Sequence, residues 1–247
     1  MPGSIHVLRT EFSRSVKALR TFAKEKGLVN AVGEVAAVAG GQLAFPITRA
    51  RRLDRRFVFR GTHLPYTFAR YNTSYRNERT VEISIAKWFL SADVGRTLEV
   101  GNVMSHYGVR GHTVLDKYEI IPGVLNDDII EFIPDQLFDT VISISTLEHV
   151  GWDEKPREPG KVFRAFDAAR NCVAPEGRML VTVPIGYNKT LDGALRTGEV
   201  EFPQESWLVR TSRSNEWIET DRDEALGKKY GQPYRNANAI YAGMITR

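Results

Sequence analysis

Hydrophobic positions follow two different repeats along this chain, and the repeat changes near residue 95. Before that point, apolar side chains recur every three or four residues, which is the spacing of one face of an α-helix. This spacing predicts one helix that stops before Gly27 and a second helix over residues 79–90. Their apolar faces consist of Phe12, Val16, Leu19, Phe22 and Ala23 in the first helix and of Val81, Ile85, Trp88 and Phe89 in the second.

After residue 95, short apolar segments alternate with helical ones. The predicted strands cover residues 97–100, 113–115, 140–145 and 179–183, and two further candidates cover residues 207–211 and 239–246. Between the third and fourth strands, Val162, Phe166, Ala169 and Val173 indicate a helix, and residues 174–178 predict a turn after it. This alternation is typical of a doubly wound α/β domain, in which a mostly parallel sheet carries helices on both faces.

A length of 247 residues suits one such domain with an appended segment. We therefore divide the chain into a helical or loop-rich accessory region, residues 1–76, and an α/β domain, residues 77–247. The net charge of +4 is modest, and much of it comes from one basic cluster, which is either a solvated face or an anion-binding patch. The cluster consists of Arg49, Arg51, Arg52, Arg55, Arg56 and Arg60.

The single cysteine limits the covalent and metal chemistry of the chain. Cys172 excludes an intrachain disulfide and a zinc site built from several cysteines, and its apolar neighbours predict a buried thiol. No segment reaches the roughly 18 apolar residues that span a bilayer, and the start of the chain lacks the pattern of a secretion signal. We therefore expect a cytoplasmic protein with no membrane span.

Acidic residues and a glycine mark the ends of the first two strands of the α/β domain. Glu99 and Gly101 lie where the chain leaves the first strand, and Asp116 ends the second, where a carboxylate can bind a ribose diol. The turn at Gly101 lacks the G-x-G-x-x-G pattern that a dinucleotide pyrophosphate needs. The carboxylate of Glu99 instead favours a positively charged nucleoside, such as a sulfonium cofactor.

From about Arg79 onward, the chain resembles the class I methyltransferases that use S-adenosylmethionine. Glu99 and Gly101 match the first motif of that family, and Asp116 matches its ribose-binding acid. Residues 138–145 and 177–184 match its fourth and fifth strands. The resemblance implies a Rossmann-like, seven-stranded sheet whose last strand is antiparallel, and it implies S-adenosylmethionine as the cofactor.

The resemblance also implies further contacts with the cofactor. Asn102 belongs to the first turn, although it and Val103 stand where the family often has further glycines. Asp128 lies where an acid contacts the adenine, with Asp127 as an equally defensible alternative, and Ser145 ends the fourth strand. Both acids are also compatible with a solvated loop.

The candidate catalytic groups follow the fourth strand. His149 is the candidate base that removes a hydroxyl proton during methyl transfer, with Glu148 beside it. The alternative is a structural histidine that caps the next helix. Glu148, His149 and Asp153, with Glu154, are also candidate ligands of a Mg²⁺ ion that would acidify a sugar diol, although acids in this position often cap helices instead.

Tyrosines are dense just before the α/β domain. Tyr66, Tyr71 and Tyr75, together with Tyr187 after the fifth strand, offer flat faces with polar edges to a sugar or aromatic acceptor, and loop packing explains them equally well. Residues 77–82 resemble a stretch found in bacterial sugar and cell-surface glycan methyltransferases. A carbohydrate hydroxyl is therefore the leading acceptor, and we expect the accessory region, residues 1–76, to cover the acceptor site.

Other functions stay open at this level. The arginine cluster and the tyrosines also suit methylation of RNA, although nucleic acid is the less favoured partner. Another small molecule is a further acceptor class, and a nicotinamide oxidoreductase is disfavoured by the missing glycines. A non-catalytic nucleoside-binding protein is the remaining alternative, and a homodimer is neither required nor excluded.

Overall fold

The structure is a computed structural model that describes residues 45–46, 49–50, 53–92 and 95–246. The chain separates into two compact units, residues 1–51 and 52–247, and the description below concerns the second. The predicted helix before Gly27 lies outside the described residues. The predicted division after residue 76 stays a prediction.

Within the described residues, ten strands form a two-stranded hairpin and an eight-stranded sheet. The hairpin pairs β1 with β2, and the sheet has the order β5-β4-β3-β6-β7-β10-β8-β9. The strands are β1 (Arg56–Phe59), β2 (Thr62–Pro65), β3 (Thr97–Val100), β4 (Thr113–Leu115), β5 (Val124–Leu125), β6 (Phe138–Ile144), β7 (Val173–Pro184), β8 (Gln204–Arg210), β9 (Trp217–Thr220) and β10 (Ala239–Ile245).

The sheet is parallel from β5 to β7, and β10 runs antiparallel to both of its neighbours, β7 and β8. The mostly parallel sheet with an antiparallel last strand is therefore confirmed. The difference from the expected seven strands is β9, which extends the edge beyond β8 by antiparallel pairing. The chain builds outward from β3 to β5 and then returns to β6, so the strand order reverses between β3 and β6.

Four α-helices and three short 3-10 helices accompany the strands in the part of the chain that the structure describes. The α-helices are α1 (Arg79–Phe89), α2 (Lys161–Asn171), α3 (Lys189–Thr197) and α4 (Arg222–Leu226), and the 3-10 helices cover Tyr71–Arg76, Met104–Tyr107 and Leu147–His149. The predicted helix at 79–90 is confirmed, and so is the helix marked by Val162, Phe166 and Ala169. Val173, which was predicted to belong to that second helix, is the first residue of β7 instead. Among the described residues, no helix is long and apolar enough to cross a membrane.

The predicted turn at residues 174–178 is wrong, because these residues belong to β7. The pairing of β6 with β7 shifts register between Phe138 and Thr140, so the extra residues of β7 form an irregular bulge within the strand. A bulge needs the same small and polar residues as a turn, and the sequence alone does not distinguish them. The thiol of Cys172, just before this strand, is buried as predicted.

Two apolar cores cover the two faces of the sheet. Neighbouring residues of β6 face opposite sides, since side chains alternate along a strand: Val141 packs with α2 and α3, and Ile142 packs with α1 and the hairpin. This arrangement confirms a sheet with helices on both faces. It leaves the carboxyl ends of β3 and β6 as the place where loops from both halves meet.

Two glycines test the packing of this fold. A methyl group on Gly243 of β10 would approach ring atoms of Phe202 to 2.6 Å, whereas nothing lies within 4 Å of a methyl group on Gly193 in α3. We expect Gly243→Ala to lower the free energy of unfolding by about 1–3 kcal/mol through overpacking. Gly193→Ala should raise it by about 0.5–1 kcal/mol through helix propensity. Urea denaturation of both variants measures this, and equal effects would contradict the packing described.

Candidate functional site

The loops that follow β3, β4, β5 and β6 lie at one edge of the sheet, next to the reversal of strand order. In open α/β sheets, ligands bind in the crevice outside the carboxyl ends of the strands at such a reversal. Gly101 directly follows β3 and Ser145 directly follows β6, and both have a positive φ, of 88° and 40°. For a serine this conformation is uncommon and marks a backbone held by its surroundings.

Glu99 shapes the turn after β3. Its side chain is fully buried, and Oε1 accepts hydrogen bonds from the backbone N–H groups of Val103 and Met104 at 2.8 and 2.6 Å. Oε2 lies 2.7 Å from Nε2 of His112, whose side chain is also buried. Both oxygens of the Glu99 carboxylate are therefore engaged in holding the turn after β3.

Gly101 and Asp116 bring the first two loops together. A side chain at Gly101 would collide with Thr146, since its Cβ would lie 2.3 Å from Thr146 Oγ1. Asp116 Oδ1 accepts from the backbone of Tyr118 and Glu119, and Oδ2 accepts from the Asn102 N–H at 3.1 Å. Each carboxylate oxygen has two lone pairs, so Oδ2 retains capacity for one more donor.

Asp128 belongs to a ring of four charges. Its Oδ2 accepts hydrogen bonds from Lys117 and Lys161 at 2.9 and 2.8 Å, and both lysines also bind Glu154. Burial alone would raise the pKa of Asp128, but the two lysines lower it to about 2. Asp127 binds the backbone N–H of Asp128. The ring thus joins the loops after β4, β5 and β6 to the start of α2, and contact of either acid with adenine stays a prediction.

A second buried network lies under the loop after β6. Glu82 of α1 is fully buried, and its Oε1 accepts hydrogen bonds from Ser145 Oγ at 2.5 Å and Thr182 Oγ1 at 2.9 Å. Arg79 lies 3.5 Å from Glu82 Oε2 and donates to the carbonyl groups of Ile144 and Ser145. Ser145 therefore anchors the loop to α1, and this network holds its strained backbone.

Glu148 is the most unusual group of the site. Its residue is 1% exposed, and neither carboxyl oxygen has a hydrogen-bond partner among the described residues. Burial raises the pKa of Glu148 to about 7; nearby His149 opposes the shift and Glu82 adds to it. A buried polar group without a partner is costly and calls for an explanation such as a ligand.

His149 lies between two acids. Its Nδ1 is 2.5 Å from Asp153 Oδ2, its Nε2 is 3.5 Å from Glu148 Oε1, and its side chain is 46% exposed. The hydroxyl of Tyr187 donates to the same Asp153 oxygen at 2.6 Å, and its ring meets the imidazole edge to face. The structure thus brings four predicted residues together, Glu148, His149, Asp153 and Tyr187.

The other predicted tyrosines lie apart from one another. The Tyr66 hydroxyl exchanges hydrogen bonds with the backbone of Trp217, and Tyr75 is 3% exposed. Tyr71 stacks on His106 with a centroid distance of 4.3 Å and contacts Tyr107 edge to face. Of the three, Tyr71 is the most exposed, and it lies beside the loop after β3.

Sequence reasoning assigns no role to four groups of the site. Glu78, Arg79 and Glu82 belong to the stretch 77–82, whose individual roles the sequence does not indicate, and no sequence pattern singles out Tyr230. The ring of Tyr230 lies 5.2 Å from that of Tyr187. Burial raises the pKa of Tyr230, and the carboxyl groups of Glu78, Glu148 and Glu82 raise it further. Only the density of charges at 78–82, unusual for a helix so deeply buried, could have signalled these roles.

The described residues contain no group of three or more His, Cys, Asp or Glu side chains arranged to hold a metal ion. Glu148 and Asp153 approach opposite nitrogen atoms of His149, so their carboxyl groups do not converge on one point. Of the basic cluster, Arg55 pairs with Glu216, Arg51 and Arg52 lie outside the described residues, and the role of the cluster stays open.

No protein-family model matches the chain, and no curated protein matches it. Among solved structures, the N-methyltransferase NodS from Bradyrhizobium japonicum, in complex with S-adenosyl-L-homocysteine, is 14% identical with a TM-score of 0.43, covering 68% of this chain and 85% of its own. A SAM-dependent methyltransferase from Archaeoglobus fulgidus is 12% identical with a TM-score of 0.44, covering 72% of this chain and 98% of its own. Because both TM-scores are low, these similarities do not establish the function of this chain.

The burial of Glu148 predicts a pH-dependent stability. A carboxyl group whose pKa is higher in the folded chain than in the unfolded one stabilises the fold below its unfolded pKa, and this contribution is lost as the pH rises through about 7. Glu148→Gln should therefore gain about 3 kcal/mol in free energy of unfolding relative to the unsubstituted protein between about pH 5 and about pH 8.

Chemical denaturation at both pH values measures this change. The exposed Glu131 offers a control, since Glu131→Gln should stay within about 0.5 kcal/mol of the unsubstituted protein. A difference for Glu148→Gln that does not vary with pH would contradict the protonation described.

Proposed function

We propose that this protein transfers a methyl group from S-adenosylmethionine to a hydroxyl group of a carbohydrate or glycan precursor. The observation that carries the proposal is the pair of His149 and Asp153 beside the buried Glu148, at the reversal of strand order. A base at this edge, next to a nucleoside-binding turn, suits transfer to an alcohol.

The residues at the carboxyl ends of β3 and β4 fit the cofactor. Asp116 has a carboxylate oxygen with capacity for a ribose hydroxyl, and Gly101 keeps the turn over β3 free of a side chain. The buried carboxyl group of Glu82 suits a positively charged sulfonium. When bound, S-adenosylmethionine supplies an electrophilic methyl group, and the protein contributes mainly by holding the acceptor in line with it.

His149 is placed to take the hydroxyl proton. Asp153 binds Nδ1, which fixes the proton of the neutral imidazole on that nitrogen and leaves the lone pair on Nε2. Tyr187 donates to the same carboxylate and thus orients Asp153. This is the arrangement of a base that a third group holds in place. Because the imidazole is about half exposed, an acceptor can reach Nε2.

A carbohydrate is the acceptor that the surrounding side chains suit best. The rings of Tyr187 and Tyr230 offer apolar faces, and the acids around them offer hydrogen-bond acceptors for hydroxyl groups. Sugar recognition needs both kinds of contact. RNA is the weaker candidate, because Arg55 of the basic cluster is paired with Glu216.

The cofactor assignment predicts selective binding of S-adenosylhomocysteine. Calorimetry should show roughly micromolar affinity for this nucleoside and no binding of NAD, because nothing in the turn cradles a pyrophosphate. Gly101→Ala should weaken the affinity by about tenfold or more. Gly111→Ala is the matched control, since Gly111 also has a positive φ but no atom within 4 Å of an added methyl group. Binding of NAD alone, or of neither ligand, would contradict the assignment of S-adenosylmethionine as the cofactor.

The base assignment predicts a defect in turnover. With labelled S-adenosylmethionine and a panel of monosaccharides, nucleotide sugars and RNA, we expect label in a sugar. His149→Ala should lower kcat for that sugar by about 10²–10⁴-fold and leave the affinity for S-adenosylhomocysteine unchanged. His63→Ala, an exposed histidine of the hairpin, is the control that should keep full activity. Normal kcat in His149→Ala would refute the role, and label in RNA alone would refute the acceptor.

A further inference from the structure

Carboxyl groups outnumber guanidinium groups among the buried side chains at the carboxyl ends of β6 and β7, and burial raises the pKa of both Glu78 and Glu148. Glu78, Glu82 and Glu148 are at most 8% exposed. Arg79 is the guanidinium that faces all three. Its N–H groups already donate to the carbonyls of Ile144 and Ser145, and its contact with Glu82 is 3.5 Å long. A further positive charge would therefore be electrostatically favourable in this cluster.

Within this cluster, Glu148 differs from the other two acids. Glu82 Oε1 accepts from Ser145 and Thr182, and Glu78 accepts from the backbone N–H of Ala237. Within the part of the chain that the structure describes, no group donates a hydrogen bond to either carboxyl oxygen of Glu148. The nearest basic group is Nε2 of His149 at 3.5 Å, which is the nitrogen left without a proton when Asp153 holds Nδ1. Glu148 thus points an unused acceptor towards the base.

Aromatic rings border the same region. Tyr187 and Tyr230 contact each other edge to face, and burial together with the nearby carboxyl groups of Glu78, Glu148 and Glu82 raises the pKa of Tyr230. Tyr107 lies near Arg79 and Glu82, and burial raises its pKa to about 12. Carboxylates combined with aromatic rings are the chemistry that recognises an ammonium group, since the faces of the rings also attract cations.

We propose that the acceptor is an amino sugar or another vicinal amino alcohol, whose ammonium group binds Glu148 while the adjacent hydroxyl meets Nε2 of His149. The two protein atoms are 3.5 Å apart, and the nitrogen and oxygen on neighbouring carbons of such an acceptor are separated by a similar distance. The proposal rests on the proposed function, in which His149 is the base. It assigns Glu148 to binding of the acceptor.

The test compares two small probes that differ in one group, trans-2-aminocyclohexanol and trans-1,2-cyclohexanediol. Their binding to the full-length protein is followed by NMR at about pH 8, where Glu148 is ionised, with and without S-adenosylhomocysteine. We expect the amino alcohol to bind at least about tenfold more tightly than the diol, as for a hydrogen bond between charged groups. Binding of the amino alcohol should also lower the pKa of Glu148, which is measured from the ¹³C chemical shift of its carboxyl carbon. His149, Arg79, Glu82, Tyr187 and Tyr230 are left unsubstituted in this measurement.

Glu148→Gln is the matched variant, and it retains the shape of the side chain without the charge. In this variant the preference for the amino alcohol should disappear. Equal binding of both probes, no saturation by the amino alcohol, or a preference that survives Glu148→Gln would each overturn the proposal. The proposal would also be overturned if Glu148→Gln weakened the binding of S-adenosylmethionine relative to that of S-adenosylhomocysteine, because Glu148 would then bind the sulfonium.

The experiments distinguish a failure of the proposed methyltransferase function from a failure of the proposed amino alcohol acceptor. Affinity for S-adenosylhomocysteine is measured on its own, and its absence refutes the methyltransferase while the comparison of the probes still decides whether Glu148 binds a cation. Conversely, normal S-adenosylhomocysteine binding with no preference between the probes refutes the amino acceptor alone.

Discussion

The carboxylate of Glu82 joins α1 to β6 and β7 at the point where the strand order reverses. Moving a carboxylate out of water costs several kcal/mol unless hydrogen bonds and an opposite charge offset it. Ser145, Thr182 and Arg79 provide that compensation, and Arg79 extends the network to the carbonyl groups at the end of β6. The positive φ of Ser145, and with it the course of the chain towards Glu148 and His149, depends on this buried anchor.

Much of the fold could be predicted from the sequence, because buried strands and amphipathic helices leave strong periodic patterns. The strands β3, β4 and β6 and the helices α1 and α2 follow those patterns closely. The elements that were missed are short or set by partners distant in sequence. The strand β5 has two residues, and β9 exists through pairing with β8, which no local pattern announces.

The candidate site divides in the same way. Glu148, His149 and Asp153 are close together in sequence, so their proximity could be foreseen from the loop that holds them. Glu82 and Tyr230 reach the region from α1 and from the segment before β10, far away in sequence. Their contribution is electrostatic and depends on burial. A sequence shows which groups can be charged, but burial and pairing determine how that charge acts.

The position of β10 bears on how this chain folds as it leaves the ribosome. The strand lies between β7 and β8, although both are synthesised before it. Until residues 239–245 emerge, β7 and β8 lack their shared neighbour, and each exposes unpaired backbone groups along an open edge. The nascent domain therefore carries two open edges from the completion of β8 at Arg210 until β10 is inserted. Chaperones that shield such edges would be most useful just before β10 is inserted.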